Sequence, residues 1–424
     1  MGQATDMFGA KSIITAVEMG TSKICVLMGR LDEKGNINII GHGEKNSDGA
    51  IIKGEISNME KTTDLLFDTI HAAENSSGES LDVENTYVAV TGSHVRGSIG
   101  TGSVVVTGEE RKITPENIDE VTRTAAHIPM PSEYTVLNSI FGNYLLDGIR
   151  RTQNPENQVA NRLEVSSFTI SGNKNCVETY RIPLREFGCE NPEPVFSGLA
   201  TAICVITDDE MKHGVLLVDI GAGTTEYMMF HESCGCSCGV IPVGCDHIAN
   251  DLAIGLDLNV AYCRKMLNEN IAHANKLQGI DHILLEGTME KRKIPINSLD
   301  KIIELRLSEL FKFIHGHLEN EKVLKFINRG IVVTGGGSLL QETKGIANSV
   351  FDCLVRTGLP PNLSGAVSNL KSPRYSMITG LIAAGESIKR LKMNSKEGPI
   401  RRIDRVFQRT WNKLRRSAKD AFPF

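Results

Sequence analysis

No run in this 424-residue chain approaches the ~18 consecutive apolar residues of a membrane-spanning helix. The N-terminal MGQATDMFGAKS lacks the basic-then-apolar order of a secretory leader. Gly2 and Thr5 come close to a myristoylation pattern, but the hydroxyl falls one place early and the match is discounted. These absences lead us to expect a cytoplasmic chain whose ten cysteines stay reduced. The sequence shows no nucleophile triad and no metalloprotease helix, and His42, His94 and His127 are isolated. The cluster Cys234, Cys236, Cys238 and Cys245 lacks the paired C-x₂-C of ordinary zinc sites. We read it as reduced cysteines in a hairpin, a reading that stoichiometric zinc in the purified protein would overturn. Tryptophan is reduced to one residue, Trp411.

What is present is the composition of a folded chain. It is 41% hydrophobic and 23% charged, and too long for one core, so two or more domains are expected. Charge is uneven. The whole chain is −5, yet residues 400–424 hold eight Lys/Arg and two Asp. An acidic body with a basic tail implies an anionic surface as the tail's partner.

The chain is organised around Leu216–Tyr227, LLVDIGAGTTEY. An apolar strand from Val215 to Val218 ends in Asp219. A tight turn follows, made of Gly221, Ala222, Gly223, Thr224 and Thr225, and then a second strand from Glu226 to Phe230. Without Cβ atoms, such a turn brings backbone N–H groups close to a phosphate, and the threonines add hydroxyl donors. Asp219 can hold Mg²⁺ through water, because that ion takes hard oxygen ligands and keeps part of its hydration shell. The order recurs near the N-terminus: strand Ile13–Val17, then Glu18, Met19, Gly20, Thr21, Ser22 and Lys23, then strand Ile24–Met28. An internal repeat of this kind implies two related halves whose turns face one another. A third turn, Gly335, Gly336, Gly337 and Ser338, follows the apolar strand Ile331–Val333 and suits close approach of a base or sugar.

Elsewhere the pattern predicts a helix from Met59 to about Glu74 with Ser57 or Asn58 as N-cap, and one opened by Thr114 and Pro115. Helical stretches are expected over 175–187, 248–270 and 299–328, and a polar linker over Lys392–Pro399. In the tail, Ile403, Val406, Phe407, Trp411 and Leu414 line one helical face with Thr410. Arg401, Arg402, Arg405, Arg409, Lys413, Arg415, Arg416 and Lys419 flank it. That is the pattern of a helix lying in the interface of an anionic bilayer, with tryptophan at the headgroup level. The competing reading is a helix docked on the body or on nucleic acid. The linker and the density of positive charge weigh against it.

Taken together, the turns VEMGTSKI, VDIGAGTTEY and IVVTGGGSLL resemble the phosphate-1, phosphate-2 and adenosine motifs of the actin, Hsp70 and sugar-kinase superfamily, in their order and spacing. FSGLATAICVI (Phe196–Ile206) and MITGLIAAG (Met377–Gly385) resemble its two crossing segments. Within the superfamily the chain is most similar to the FtsA family of bacterial cell division, by the placement and size of the module inserted between Val83 and Asn161. The resemblance implies an α/β, actin-like (ribonuclease H-like) duplicated fold, with two large domains around an ATP cleft and small inserted subdomains. It implies a first domain of residues 12–83 and 162–198, with an insertion at 84–161. A second domain would take 199–258 and 300–391, with a small lobe at 259–299, a linker at 392–400 and a membrane-targeting helix at 401–419. Also implied are ATP and Mg²⁺ as cofactors, with Glu18 and Asp219 on the metal side. Glu18 departs from the aspartate of actin and Hsp70. Lys23 would meet phosphate charge. Lys265 falls where the superfamily offers a lysine to the base, but Tyr262 replaces the acid expected at the ribose.

The same resemblance implies an actin-like divisome protein, peripheral on the cytoplasmic side of the inner membrane. It would tether polymers of tubulin-like FtsZ, contact other divisome proteins and anionic lipids, and self-assemble into filaments, with weak or no ATPase activity and no nucleic-acid partner. The rival readings are a small-molecule kinase of the same superfamily and an actin-like adaptor of the pilus type. No residue stands out as the one that would orient an attacking water.

Overall fold

Apolar runs buried on both faces build β1 (Ile13–Met19) and β2 (Lys23–Leu31), and alternating burial marks β3 (Ile37–Asn46); the three pair antiparallel. They belong to a computed structural model that describes residues 13–31, 37–284, 292–361, 363–365 and 368–394. The tail residues Arg402 to Leu414 and Arg415, and residues 395–400 of the expected linker, lie outside the described residues. A tight hairpin, β4 (Ile51–Ile52) with β5 (Glu55–Ile56), precedes helix α1 (Met59–Ser77). Asn58, not Ser57, caps α1 by accepting the Lys61 N–H, and Gly78 closes it in the left-handed region. The buried face of α1, with Leu66, Ile70 and Ala73, lies against Gly41 and Gly43 of β3. A Cβ on Gly43 would stand 2.0 Å from Thr69 O, so only glycine lets helix and sheet approach this closely. β6 (Thr86–Val90) then runs parallel to β1.

The next segment leaves this sheet. β7 (Arg96–Val105), helix α2 (Pro115–Ala126), β8 (Tyr134–Phe141), β9 (Tyr144–Leu146), β10 (Arg150–Thr152) and the long β11 (Arg162–Asn173) form a separate sheet of order β10-β9-β11-β7, with β8 also paired to β11. Thr114 and Asn117 close a reciprocal capping box on α2. Val121, Ala125, Leu146 and Leu163 give this module a core of its own. The chain returns through helix α3 (Lys174–Glu186) to β12 (Glu193–Phe196), parallel to β6.

After helices α4 (Ser197–Val205) and α5 (Asp208–His213), β13 (Val215–Ile220), β14 (Thr225–His231) and β15 (Cys234–Ile241) repeat the antiparallel meander. Helices α6 (Cys245–Leu256), α7 (Val260–Asn268) and α8 (Ile271–Leu277) follow, then the small hairpin β16 (His282–Leu284) with β17 (Lys293–Pro295), and helix α9 (Ile296–Asn320). β18 (Ile331–Thr334), helix α10 (Glu342–Phe351) and β19 (Val355–Thr357) complete a second sheet. A short β20 (Ser364–Gly365) crosses back to pair with β3, and helix α11 (Ser376–Asn394) ends the described chain.

The two large sheets have the same plan. The first reads β12-β6-β1-β2-β3 and the second β19-β18-β13-β14-β15, each with three antiparallel strands and two parallel ones. The repeat read in the sequence is therefore a repeat of topology. Helices α4 and α11 pack together between the halves. A Cβ on Gly380 would come within 1.8 Å of Ala200 O, so their backbones touch where a side chain would hold them apart. The inserted module leans on the second sheet through Phe168, whose ring fills the space left by Gly97 and Gly235.

Three expected helices differ in extent. The stretch 248–270 is two helices, because Asp257 turns left-handed (φ 52°) and Asn259 caps α7 on the Ala261 N–H. The stretch 299–328 stops at Asn320, and a left-handed Lys322 (φ 61°) follows. α11 continues through Asn394, into the polar stretch read as a linker. Among the described residues no helix is long and apolar enough to cross a membrane.

Candidate functional site

The site begins with two turns closed by the same hydrogen bond. Between β1 and β2 the Gly20 N–H donates to Lys23 O, and between β13 and β14 the Gly221 N–H donates to Thr224 O, both at 2.9 Å. The turns face and touch: a Cβ on Gly223 would lie 2.4 Å from Thr21 Oγ1. The third turn approaches from β18. Gly335 is left-handed (φ 77°), and a Cβ there would stand 2.2 Å from Asp219 Oδ1 and 2.6 Å from Ile220 O. Gly336–Leu339 then winds into a short 3₁₀ turn.

A cavity of about 300 Å³ lies among the three turns. Glu18 and the first turn through Lys23, Asp219 with Gly221 to Thr224, and Gly335 with Gly336 all line it. Other residues singled out in the sequence serve elsewhere. Thr225 is buried in β14 with its hydroxyl donating to Val243 O. Gly337 packs on Ile220, and the Ser338 hydroxyl donates back to Gly335 O, so both shape the third turn from behind. Lys23 reaches the cavity wall, but its ammonium sits 3.3 Å from Glu44 and 3.6 Å from the Tyr375 ring centroid. Lys265 lines neither this cavity nor its neighbour. α7 buries Cys263 and Met266, which turns Lys265 outward, 65% exposed, toward Glu269. Tyr262 packs against the second core.

Sequence reasoning missed several wall residues. Asn268, Arg374 and Tyr375 also line the cavity. Asn268 offered one signal, a polar residue one helical turn beyond Arg264; Arg374 and Tyr375 offered none, since they come from a short 3₁₀ turn 37 residues past Gly337 in the chain. Glu226 lies on the floor, 7% exposed, where Thr91 and Ser197 hydroxyls reach it from the first half. Its signal was an acid at an inward position of a strand that is otherwise apolar.

The floor is acidic and poorly solvated. Burial, reinforced by Asp219 and opposed by Lys23, pushes Glu18 up to about 7. Burial also raises Asp219, against the hydrogen bond from Thr201 (2.8 Å), and raises Glu226, to which the Asp219 charge adds. Glu18 Oε2 is buried with no hydrogen-bond partner. Two carboxylates held above their ordinary range, one with an unpartnered oxygen, suit a hard divalent cation that keeps part of its water shell. Glu18 and Asp219 would hold such an ion, and its charge would offset phosphate charge between the turns.

Glu18 also gives the pH dependence a sign. Its pKa in the fold lies above its ordinary 4.5. Between about 4.5 and about 7 the unfolded chain has released this proton and the folded chain retains it, so stability falls as pH rises. Glu18→Gln is therefore expected to stabilise the nucleotide-free protein by about 2 kcal/mol at pH 7.5, after allowance for the water that reaches part of the carboxylate, and by almost nothing at pH 4.5. Melting curves of both proteins across this range, without magnesium, test it. A gap that does not widen with pH overturns the assignment.

Duplicated sheets, facing acid–Gly–Thr turns and a pair of crossing helices define an actin-like protein. Solved structures agree at the level of fold. A chain of the PilM–PilN type IV pilus biogenesis complex superposes with a TM-score of 0.55 at 14% identity, covering 89% of this chain and 99% of that one. MreB5 of Spiroplasma citri bound to ADP gives 0.52 at 13% identity, covering 90% and 99%.

The chain belongs to the FtsA family. The family profile described as "Cell division protein FtsA" matches residues 216–380, and that of the "SHS2 domain inserted in FTSA" matches 92–171. It is 28% identical over 376 residues to cell division protein FtsA of Pseudomonas aeruginosa, covering 88% of this chain and 89% of that one. To FtsA of Escherichia coli K12 it is 26% identical over 396 residues, covering 91% and 92%.

Proposed function

We propose that this chain is an ATP-binding, actin-like protein of the bacterial divisome that tethers FtsZ polymers to the cytoplasmic face of the inner membrane and assembles with copies of itself. One observation carries the nucleotide part: two turns with the same closing hydrogen bond meet around a cavity whose floor is acidic. Backbone N–H groups, the Thr21 and Thr224 hydroxyls, Ser22 and a magnesium ion between Glu18 and Asp219 would hold the phosphates. Gly335 and Gly336 would admit the adenosine. The solved structure of MreB5 bound to ADP, on the same fold, supports this choice of ligand.

We further propose that two halves close on ATP, one built on β1, β2, β3, β6 and β12 and the other on β13, β14, β15, β18 and β19; against the bounds expected from the sequence, β6 belongs to the first half and β11 to the inserted module. The membrane part rests on the amphipathic, basic tail and on family membership. Each tail binds weakly, and many tails on one polymer add by avidity.

The test is a three-component flotation assay. With Mg·ATP, FtsZ polymers should float with anionic vesicles only when this protein is present. Flotation that is unchanged without it would remove the tethering role.

A further inference from the structure

The lysine that the sequence placed at the phosphates is already engaged. Four Lys and Arg side chains line the central cavity or the larger one beside it, of about 480 Å³, which shares Thr21, Ser22, Ala222 and Gly223 with it. Lys23 is held by Glu44 and Tyr375. Arg264 donates to Asp246 at 2.8 Å, and Arg374 donates to Asn268 O at 3.0 Å. Lys53 is exposed and forms no ion pair among the described residues.

Lys53 is also held in an uncommon conformation. The β4–β5 hairpin turns on Lys53 and Gly54, both left-handed, at φ 51° and 78°. Such a two-residue turn favours Asn or Gly at its first position, and a lysine there is strained. The strain is fixed by what the tip touches. The Gly54 N–H donates to Thr21 Oγ1 at 3.0 Å, and the buried Tyr180 hydroxyl donates to Gly54 O. A Cβ on Gly54 would meet the methyl of Thr91 at 2.9 Å and that of Thr224 at 3.0 Å. The hairpin tip is thus bolted to both phosphate turns, and Lys53 lines the larger cavity beside them, which Thr21, Ser22, Ala222 and Gly223 of the two turns also line.

We propose that Lys53 binds the terminal phosphate of a nucleoside triphosphate, so that the hairpin distinguishes a triphosphate from a diphosphate in the cleft. This rests on the reading of the central cavity as a nucleotide site. The acidic floor repels the polyphosphate, and the extra charge of the outermost phosphate needs a cation beyond the metal. An ammonium free of other acceptors supplies it as a charge-assisted hydrogen bond. A diphosphate, seated deeper, does not reach Lys53. Because Gly54 engages Thr21 and Tyr180, holding Lys53 inward also fixes the first turn against α3, which leads directly from β11 of the inserted module.

The experiment is calorimetric titration of the full-length protein with Mg·ADP and with magnesium and a non-hydrolysable ATP analogue, for the wild type, Lys53→Gly and Lys53→Arg. Lys53→Gly should weaken the triphosphate about tenfold and the diphosphate less than about twofold. It should not lower the melting temperature, since glycine accepts the left-handed turn. Lys53→Arg, which keeps the charge, should retain most of the preference. Equal losses for both nucleotides, or no loss for either, overturn the role of Lys53 and leave the nucleotide site standing. A wild type that binds neither nucleotide overturns the site itself, and this inference with it.

Discussion

Replacing Trp411 with glutamate is expected to lower partitioning onto anionic vesicles about 100-fold or more while leaving Mg·ATP binding unchanged. The exchange removes one buried aromatic side chain, a loss of about 1.5–3 kcal/mol. It also adds a negative charge where each basic neighbour contributes about 1 kcal/mol. The tail has few apolar anchors on its face, namely Ile403, Val406, Phe407, Trp411 and Leu414, so losing the largest one is decisive. Raising the salt should weaken the wild type in the same direction, because the contribution of the arginines is screened. Vesicle sedimentation reads both effects. A variant that still pellets with the vesicles would mean that some other surface of the protein meets lipid.

The second large effect lies in the cleft. Gly335→Ala places a methyl 2.2 Å from Asp219 Oδ1, in a left-handed conformation that disfavours any side chain. Both penalties act at one position. The conformational strain costs about 1–3 kcal/mol, and the clash forces Asp219 or the third turn to move. Asp219 is the proposed metal-side acid, so Mg·ATP affinity should fall by about a hundredfold, equivalent to about 2.7 kcal/mol. The melting temperature without nucleotide should fall only by several degrees. Gly345→Ala on α10 is the contrast, since a Cβ there meets nothing within 4 Å and the residue lines neither cavity. A Gly335→Ala affinity equal to that of Gly345→Ala would remove the third turn from the site.

Much of the cleft was legible because its parts are local. A glycine turn after a buried strand is written in six or seven consecutive residues, and its second copy declares the duplication. The three turns came together as the motif order implied, and five strands of the first sheet match the five of the second in order, with β20 added at the edge of the first. Side-chain direction was less legible. Lys23 and Lys265 both look free in the sequence, yet one is drawn to Glu44 on the neighbouring strand and the other is turned outward by the pitch of α7. Lys53 gave no signal, because a lysine in a hairpin reads as a solvated surface residue.

The sequence alone determined the duplication, the three turns with their acids, and the basic, aromatic face of the tail, because each depends on neighbours within a dozen residues or on a periodicity. The tertiary structure alone decided which charges remain unpartnered around the cleft. Electrostatic pairing joins groups from strands and helices far apart in the chain: Glu226 with Thr91, Lys23 with Tyr375, and the Lys53 hairpin with Thr21 and Tyr180. Distance in space sets those energies, and sequence separation carries no record of it.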